Sequence, residues 1–464
     1  MATGSLSWRW RHLWTNVTLI HIDSNKFDYS RDIDSTFNNI ITRITSPFIH
    51  SFSVELGNVR DLRLKVKYPK RNLNYSWLRE ICDRNLRELK VTNTELKAKN
   101  NGIYDSVIQS WFPLPSFICV TQSLVSIELD SMLKLQLPDQ INLPNLKKLH
   151  LCSTSMNSES LEKLIKACPS LEELCFLYKA CIHPSERKKR QSGSTRLCDI
   201  KFSHQKLQRL FIKKLPYKYR VVINAPNLEY LAIHASKSVA FRFEKEPVIS
   251  CEAKIHLTDY DSALTEDEFM SMTKFYRLFR KVTILTPDVF VLENSWPSSN
   301  MFCNATQLTL SIYTSYIDIL LAILELCPVL DVLTLQIRNS NGLERAAKTP
   351  GLISTLQRVL NKINIEIYCN ANDKTTKSLV ELVDYLLSNS VDLKHFHITV
   401  DSSCHRMEGT EGAQIWEMKL CKLLYQCPVL SEGCEVEFVG RFFKMSRKAG
   451  LKFLIANGKD SPIN

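Results

Sequence analysis

The sequence predicts an α/β fold, a leucine-rich solenoid in which strands form one curved parallel sheet and the convex side mixes helices with extended segments. Two observations lead to this prediction. A strand frame, x-L-x-x-L-x-L, occurs six times between residues 85 and 233. A longer unit, a helix that ends at Cys-Pro and turns into a strand, occurs near residues 161, 317 and 416. Such repetition is typical of proteins built from stacked repeats.

The first helical unit shows how each copy is expected to fold. Its apolar residues share one helix face because they are spaced i, i+3, i+4 and i+7: Leu161, Leu164, Ile165 and Cys168. Pro169 lacks a backbone N–H and cannot continue the helix, so the chain turns there into a strand. The later copies carry Cys327-Pro328 and Cys427-Pro428 at the equivalent place.

The strand frame is that of a leucine-rich repeat. Its first leucines are separated by 22, 25, 36 and 21 residues at Leu124, Leu146, Leu171, Leu207 and Leu228. Leucine-rich repeats have a period of about 20–29 residues. The last two apolar residues of a frame lie two apart and face one side of a strand, and the first leucine inserts from the preceding turn. We therefore expect the strands at 86–91, 124–129, 146–151, 171–176, 207–212 and 228–233 to pair in parallel and in sequence order.

The segments between the strands vary. Residues 158–167 read as a helix, whereas 135–144 and 219–226 contain prolines and read as extended. Beyond residue 234 the frame is weaker. There we predict strands and helices from periodicity: strands at 239–243, 252–257, 307–312, 363–367 and 392–398, and helices at 266–280 and 378–389.

Composition narrows the class of protein. The 464 residues are 44% hydrophobic and 23% charged, which is enough to bury sizeable cores. No apolar run approaches the ~20 residues of a membrane span, and residues 1–14 lack the apolar stretch of a secretory signal. The fifteen cysteines are then expected to be reduced thiols in a cytoplasmic or nuclear protein.

The positive charge is concentrated in the first half. Residues 1–220 hold 35 Lys and Arg against 20 Asp and Glu, a net +15, and residues 221–464 hold 25 against 28, a net −3. The longest repeat interval contains a basic run that could be a nuclear-import signal or a solvated loop: Arg187, Lys188, Lys189 and Arg190. We expect a solvated basic surface and no nucleic-acid binding tighter than micromolar, although an acidic partner is an alternative.

The sequence contains no recognisable catalytic motif. Phosphate-binding glycine loops, H-E-x-x-H and G-x-S-x-G are all missing from it. The nearest approach to a metal cluster matches no closed zinc spacing: Cys175, Cys181, His183, Cys198 and His204. We therefore predict that the protein is not an enzyme and has no catalytic residue, cofactor or metal.

The N-terminus carries the first family resemblance. Residues 6–14 contain the string R-W-R-x-L-W and lead into an apolar strand at 17–22. This string resembles the last helix of the plant F-box motif, and the preceding F-box helices are not in front of it. The resemblance implies that an adaptor protein would contact Leu6, Trp8, Trp10, Leu13 and Trp14. The alternative is an ordinary amphipathic first helix with Trp10, Leu13 and Trp14 in the core.

The C-terminus carries the second resemblance. A strand at 391–400, a helix near 416–425 with K-L-L, and Cys434-Glu435-Val436-Glu437-Phe438 are similar to the FBD domain of plant F-box proteins. The family resemblance therefore covers nearly the whole chain. It implies three regions: residues 1–22 as the end of a truncated F-box, 23–340 as leucine-rich repeats, and 341–464 as an FBD-like α/β module.

Together these resemblances imply an F-box/FBD/leucine-rich-repeat protein. Such a protein is a substrate-recognition subunit of a cullin-based, SCF-type ubiquitin ligase, in which the F-box binds a Skp-type adaptor and the repeats bind a protein substrate. The alternative is a free-standing repeat module that binds a partner without recruiting a ligase. Because residues 1–14 offer only five apolar side chains, we expect the chain as printed to bind a Skp-type adaptor weakly or not at all.

Overall fold

The computed structural model describes nineteen parts of the chain: residues 13–23, 33–56, 76–93, 112–129, 133–135, 137–153, 158–178, 198–215, 219–236, 239–245, 251–258, 275–287, 302–313, 317–338, 356, 359–368, 373–401, 409–448 and 451–456. The chain divides into two compact units. The first comprises Met1–Pro247 and Leu257–Asp259, and the second Val248–His256 and Tyr260–Asn464.

The first unit alternates strands with a few helices. Its strands are β1 (Leu19–Asp23), β2 (Ser51–Leu56), β3 (Glu88–Asn93), β4 (Phe112–Leu114), β5 (Ser126–Leu129), β6 (Leu133–Leu135), β7 (Lys148–Ser153), β8 (Glu173–Tyr178), β9 (Cys198–Ser203), β10 (Arg209–Leu215), β11 (Tyr219–Asn224), β12 (Tyr230–Ser236) and β13 (Ala240–Phe243). Its helices are α1 (Ile33–Ile41), α2 (Ser76–Cys82) and α3 (Ser158–Lys166), with short 3-10 helices at Leu13–Asn16 and Ser116–Val120.

The main sheet of the first unit is parallel throughout. Its order is β1-β2-β3-β5-β7-β8-β10-β12, so the strands that carry the repeat frame are neighbours in sequence order. This confirms the predicted pairing. Each strand begins two residues later than expected, because the first leucine of every frame lies in the turn before the strand. Those six leucines are fully buried: Leu86, Leu124, Leu146, Leu171, Leu207 and Leu228.

Hydrogen bonds between turns hold each repeat to the one before it. The carbonyl of Lys147 accepts the N–H groups of both Glu172 and Glu173, each at 2.9 Å. The same two-to-one arrangement recurs at other repeats, and asparagine side chains add to it. Asn145 Nδ2 donates to the Gln122 carbonyl at 2.9 Å, and Asn227 Nδ2 donates to the Gln205 carbonyl at 2.8 Å. These bonds satisfy turn carbonyls that would otherwise lack partners.

A second layer covers the inner side of the main sheet. β9, β11 and β13 form a three-stranded parallel sheet, and β4 pairs with β6 in parallel. The inner layer meets the main sheet at Phe176 and Phe202, whose ring centroids are 5.9 Å apart. This layer therefore combines α3 with extended segments, as the prolines of the sequence predicted.

The second unit has nine strands and three helices among its described residues. The strands are β14 (Glu252–Thr258), β15 (Ile284–Thr286), β16 (Gln307–Tyr313), β17 (Val332–Arg338), β18 (Lys362–Ile367), β19 (His395–Val400), β20 (Glu435–Val439), β21 (Phe443–Lys448) and β22 (Leu451–Ala456). The helices are α4 (Ile317–Glu325), α5 (Asp373–Asn389) and α6 (Gly409–Gln426), and Arg277–Phe279 is a 3-10 helix.

The sheet of the second unit is parallel from β14 to β20 and then reverses. β14, β15, β16, β17, β18, β19 and β20 pair in that order, and β20-β21-β22 continue antiparallel. Helices α5 and α6 are joined by a hydrogen bond from Trp416 Nε1 to Thr376 Oγ1 at 2.8 Å, with both side chains buried. The antiparallel hairpin was not predicted from the sequence.

A buried carboxylate holds the turn between β20 and β21. Glu417 on α6 is fully buried and accepts the backbone N–H groups of Arg441, Phe442 and Phe443 at 3.2, 2.8 and 2.7 Å. Gly440 lies directly below this carboxylate. A Cβ at position 440 would stand only 1.9 Å from Glu417 Oε1.

The three helix, Cys-Pro and strand units all adopt the predicted order. They are α3 to β8, α4 to β17 and α6 to β20. In the first, the thiol of Cys168 lies 3.1 Å from the Leu164 carbonyl and is buried. Burial raises the pKa of Cys168 and of Cys327 to about 12. The cysteines of these units therefore act as small apolar core side chains.

The remaining strands, helices and boundaries predicted from the sequence agree with the structure to different degrees. The strands predicted at 239–243, 252–257, 307–312, 363–367 and 392–398 are all present in some form, and the helix expected at 378–389 is longer, beginning at Asp373. The helix expected at 266–280 lies mostly outside the described residues, and Arg277–Phe279 at its end is a 3-10 helix. The predicted region boundaries at 22 and 340 stay predictions. Helices α1 and α2 were not anticipated.

Candidate interaction surface

The outer face of the first unit's main sheet is an ordered grid of side chains. Alternate residues of a strand point to opposite faces, so the positions between the buried apolar residues face outward. Because the strands are in parallel register, these outward positions align in rows across the sheet. The central row is His21, Ser53, Lys90, Glu128, His150, Cys175, Phe211 and Ala232.

One part of this grid brings cationic and aromatic groups together on β7, β8, β10 and β12. We name it the β10 cluster: His150, Glu173, Arg209, Phe211, Lys213 and Tyr230. The Arg209 guanidinium carbon lies 4.6 Å from the Tyr230 ring centroid and 5.7 Å from that of Phe211. The two rings are 4.8 Å apart, and Lys213 Nζ is 5.7 Å from the Phe211 ring. Arg209, Lys213, Phe211 and Tyr230 thus form one continuous set of cation–aromatic contacts.

Glu173 is the acidic member of the β10 cluster and is already engaged by two neighbours. Its carboxylate lies 2.7 Å from His150 Nε2 and 3.4 Å from Arg209 Nε. Only 17% of the Glu173 side chain is exposed, against 50% of the Arg209 side chain. The carboxylate therefore orients the His150 imidazole and the Arg209 guanidinium, and Arg209 keeps a solvent-facing side.

Cys175 lies between His150 and Phe211 in the same row and is half-buried. Burial raises the pKa of its thiol, and the nearby Lys213 lowers it in part. A thiol with a raised pKa is mainly protonated near neutral pH and is a weak nucleophile. Cys175 is therefore suited to non-covalent contact with a bound partner and not to covalent chemistry.

Two ion pairs lie elsewhere on this face or beside it. Lys90 Nζ lies 2.8 Å from Glu128 Oε1, across β3 and β5. Beside the strands, Lys147 Nζ lies 2.8 Å from Glu172 Oε1. Exposed pairs of this kind contribute little to stability, about 0–1 kcal/mol each. The β10 cluster differs from them because its cations face aromatic rings.

On the outer face of the second unit, neighbouring polar side chains are hydrogen-bonded to one another. Ser311 Oγ donates to Gln336 Oε1 at 2.7 Å, and Gln336 Nε2 donates to Glu366 Oε2 at 3.0 Å. Tyr368 O–H also donates to Glu366 Oε2, at 2.9 Å, and this hydrogen bond raises the pKa of the Tyr368 phenol, with burial adding to it. The polar groups of this ladder are bonded to one another.

Two histidines of β19 face glutamates of β20. His395 Nδ1 lies 3.7 Å from Glu435 Oε2, and His397 Nε2 lies 3.8 Å from Glu437 Oε2. Lys444 of the hairpin lies 2.9 Å from the other oxygen of Glu437. The carboxylates of this face, like its amides, are therefore already engaged by neighbouring side chains.

The site residues predicted from the sequence fall almost wholly outside the described residues. Leu6, Trp8 and Trp10 lie outside them, as does the basic run Arg187, Lys188, Lys189 and Arg190. Leu13 and Trp14 lie in the 3-10 helix Leu13–Asn16, whose first two side chains are likewise outside the description. The adaptor contact and the basic loop therefore stay predictions.

The histidines and cysteines considered as metal ligands do not come together in the described part of the chain. Within that part no group of three or more His, Cys, Asp or Glu side chains could hold a metal ion. Cys181 and His183 lie outside it. His204 is half-buried, and its burial lowers its pKa. In the same ranges no helix is long and apolar enough to cross a lipid bilayer.

The β10 cluster was not predicted from the sequence. The signal was present, since Arg209 and Tyr230 both occupy the position just after x-L-x in frames 21 residues apart. Superposing the frames would have placed Arg209 between Glu173 and Tyr230. What the sequence could not supply was the side-chain direction that places the guanidinium over the ring.

The chain is similar to known F-box/FBD/LRR-repeat proteins of plants. The family described as "FBD-associated F-box protein At5g56370, LRR repeats" matches residues 75–258. The F-box/FBD/LRR-repeat protein At5g22660 of Arabidopsis thaliana is 24% identical over 448 residues, which cover 95% of this chain and 91% of the relative. The F-box/FBD/LRR-repeat protein At1g78750 of the same plant is 24% identical and covers 93% and 90%.

A more similar but shorter match is the F-box/FBD/LRR-repeat protein At3g14710 of Arabidopsis thaliana. It is 32% identical over 188 residues, 39% of this chain and 37% of the relative. The matched repeat region, residues 75–258, contains all of the β10 cluster. These matches confirm the resemblance expected from the two ends of the sequence.

Proposed function

The chain is related to the plant F-box/FBD/LRR-repeat proteins, and we propose on that basis that it is a substrate-recognition subunit of a cullin-based, SCF-type ubiquitin ligase. In this proposal the repeats bind a protein substrate and the N-terminal region contacts a Skp-type adaptor. The protein carries out no bond chemistry itself. It acts in the cytoplasm, the nucleus or both.

The observation that carries the proposal is the outer face of the first unit. Eight parallel strands present aligned rows of side chains, with the core on the other side of the sheet. Stacked repeats characteristically use such extended faces to bind other proteins. Binding a substrate there would hold its lysines close to the ubiquitin-transfer enzyme, which raises their effective concentration without any catalytic residue in this chain.

Adaptor binding is assigned to the N-terminal residues through the family resemblance. Their apolar side chains are Leu6, Trp8, Trp10, Leu13 and Trp14. A stable protein interface buries roughly 1,200–2,000 Å² in total. Five side chains supply only part of that area, so we expect tight adaptor binding to need the preceding F-box helices as well.

A pull-down with purified Skp-type adaptor tests this function. Two forms are compared, the chain as printed and the same chain preceded by a complete F-box. We expect strong capture of adaptor by the second form and weak capture by the first. A control form with Trp10 and Trp14 replaced by Ser should lose the capture gained from the added F-box, if these tryptophans belong to the interface.

The outcomes separate the candidate functions. Strong capture by the printed chain would mean that its five apolar residues suffice. Failure of both forms to capture adaptor would contradict the ligase function and favour the free-standing repeat module. In that case the outer face would still bind a partner, but no ligase would be recruited.

A further inference from the structure

We propose that the β10 cluster is the point at which this protein holds a short acidic segment of its substrate, with an aromatic or aliphatic residue of that segment packed against Phe211. This inference deepens the proposed function by naming the chemistry of the substrate. It rests on that function only in calling the bound protein a substrate. The binding itself can be tested without any ligase component.

The β10 cluster has the composition of a binding hot spot. Interface residues that contribute most to binding energy are enriched in Trp, Tyr and Arg, and they sit in well-packed positions. Here Tyr230 is only 7% exposed, and Arg209 lies over its ring at 4.6 Å. Phe211 is half-buried and stands beside both. A rigid aromatic base with an accessible ring is therefore already formed without a partner.

The surface around the β10 cluster carries more positive than negative charge. The twelve outward positions of β7, β8, β10 and β12 hold three Lys or Arg residues and one carboxylate, Glu173. Glu173 is shared between His150 and Arg209. Lys148 and Lys213 have no carboxylate within 4 Å among the described residues, and both are exposed. The surface thus has a positive excess that an acidic segment would complement.

The arrangement of charge around the apolar centre sets the form of the ligand. Phe211 has Cys175 on one side and Ala232 on the other in its row, while Lys213 lies two residues further along β10. Side chains two apart along a strand are separated by about 6.6–6.8 Å. An acidic residue next to an apolar one could therefore reach Lys213 while its neighbour covers Phe211.

The size of the patch favours a short segment. Four adjacent strands span about 14–15 Å at ~4.8 Å per strand, which is the length of four or five residues of extended chain. The corresponding contact is far smaller than the ~1,600 Å² of a typical stable interface. We therefore expect micromolar binding by an isolated segment, with the remaining affinity of a whole substrate coming from other parts of the face.

Nucleic acid fits this patch less well than an acidic peptide. Proteins that bind nucleic acid through phosphates commonly make about 6–10 such contacts. Among the described residues of this patch, only Lys148 and Lys213 are cations without a carboxylate neighbour, and Arg209 is shared with Glu173. An acidic peptide needs only one or two of these contacts. RNA binding is therefore an outcome to be tested and not the proposal.

Selection from a random twelve-residue peptide library displayed on phage tests the inference. The full chain and the variant with Phe211→Ser and Lys213→Glu are used as baits in parallel. We expect the unmodified chain to enrich peptides in which Asp or Glu flank an aromatic or aliphatic residue. We expect the variant to lose that enrichment, because it lacks the ring and reverses the charge.

The strongest selected peptide is then synthesised and its Kd measured by fluorescence anisotropy. Each single substitution, Phe211→Ser or Lys213→Glu, should weaken binding at least about tenfold. The matched control is Tyr368→Ser in the second unit, which removes a ring that lies 5.8 Å from the Arg338 guanidinium. It should leave the Kd unchanged. Unchanged melting temperatures would show that the variants remain folded.

Three results would overturn the proposal. The first is selection of no acidic peptides or of no peptide at all, and the second is equal selection by the unmodified chain and the variant. The third is binding of a labelled single-stranded RNA tighter than micromolar at physiological salt that Lys213→Glu abolishes. Adaptor capture is a separate measurement, so peptide binding together with failure of both pull-down forms would contradict the ligase function and leave this inference standing.

Discussion

Gly440 occupies a position where the carboxylate of Glu417 leaves no room for a side chain. A Cβ there would lie 1.9 Å from Glu417 Oε1 and 2.3 Å from its Cδ. Because Glu417 is fully buried and bonded to three backbone N–H groups, it cannot move aside without losing them. The requirement for glycine is therefore steric and is imposed by one identified neighbour.

We expect Gly440→Ala to destabilise the second unit by about 2–4 kcal/mol, because it displaces the carboxylate and leaves buried N–H groups unpaired. The measurement is the urea midpoint followed by circular dichroism. Gly433→Ala is the matched control, since a Cβ at position 433 meets nothing within 4 Å. That variant should unfold at nearly the original midpoint, and equal losses from both would refute the steric explanation.

A double-mutant cycle between positions 417 and 440 tests the same contact in a second way. Glu417→Ala alone should be strongly destabilising because three N–H groups lose their acceptor. Once the carboxylate is gone, a methyl group at position 440 meets no clash. We therefore expect the double variant to be less destabilised than the sum of the two single variants by at least about 1 kcal/mol. Strict additivity would contradict the contact.

Little of this residue-scale detail was predictable. Glu417 reads in the sequence as an ordinary polar residue beside Trp416 on an amphipathic helix. Its partners are backbone groups at 441–443, at least 24 residues away, and backbone groups carry no sequence signal. The six buried first leucines, by contrast, followed directly from their repeated spacing.

Among the repeat elements, the first leucine of each frame is fully buried, so we expect a charge there to be poorly tolerated. Leu171 is fully buried in the turn between α3 and β8. We expect Leu171→Asp to destabilise the first unit by more than about 4 kcal/mol, because it buries a carboxylate with no partner. The control is Lys206→Asp, one residue before the equivalent Leu207 and exposed. A melting temperature unchanged by Leu171→Asp would refute the stacked core.

In two repeats the asparagine before the first leucine, Asn145 or Asn227, donates a hydrogen bond to the repeat before it. Removing the side chain in Asn227→Ala leaves the Gln205 carbonyl without its amide donor, which at present lies 2.8 Å away. We expect a loss of about 0.5–1.5 kcal/mol in unfolding free energy. Gln205→Ala is the control, because it keeps the carbonyl and removes only an exposed side chain. Equal effects of the two would argue against the bond.

Element type followed from periodicity wherever the apolar pattern was regular. The six strands that carry the repeat frame and the helices α3, α4, α5 and α6 were anticipated. The helices α1 and α2 were missed because neither belongs to the repeated unit of helix, Cys-Pro and strand. The hairpin β21 and β22 was missed because nothing in a parallel repeat predicts a reversal of direction.

At the scale of the whole molecule, the raised pKa values of the cysteine thiols reflect how completely the cores exclude water. Burial raises the pKa of Cys82, Cys168, Cys327 and Cys421 to about 12, from an ordinary value of 9.0. Since a raised pKa favours the neutral thiol, the native state gains stability below pH 9. That gain is lost as pH rises from about 9 to 12, where the unfolded chain ionises first.

The corresponding prediction concerns alkylation by iodoacetamide at pH 8, followed by peptide mass spectrometry. Cys251 is exposed and should be modified within minutes. The four buried thiols should react at least about 100-fold more slowly, because the thiolate is the reacting species and water does not reach them. Unfolding in urea provides the control, in which all sites should react at similar rates. Fast labelling of Cys168 in the native protein would refute its place in the core.

The sequence predicted the fold class of the molecule more fully than its candidate site. Fold class depends on apolar residues whose spacing repeats, and those residues are numerous. The β10 cluster depends on which side chains fall beside one another on neighbouring strands, which needs the register and the rotamers. The residues proposed first, the N-terminal tryptophans and the basic run, rest on local strings and stay predictions.

The antiparallel hairpin at the end of the second unit bears on self-association. A stack of parallel strands has no natural last member, because an exposed terminal strand offers the same backbone groups that the previous one used. A second copy could add there, and head-to-tail addition of that kind produces filaments. Strands β21 and β22 continue the sheet beyond that edge of β20 in the opposite direction, and the Glu417 carboxylate holds the turn between β20 and β21 in place. The Glu417 carboxylate thus helps to keep that edge of β20 paired within its own chain.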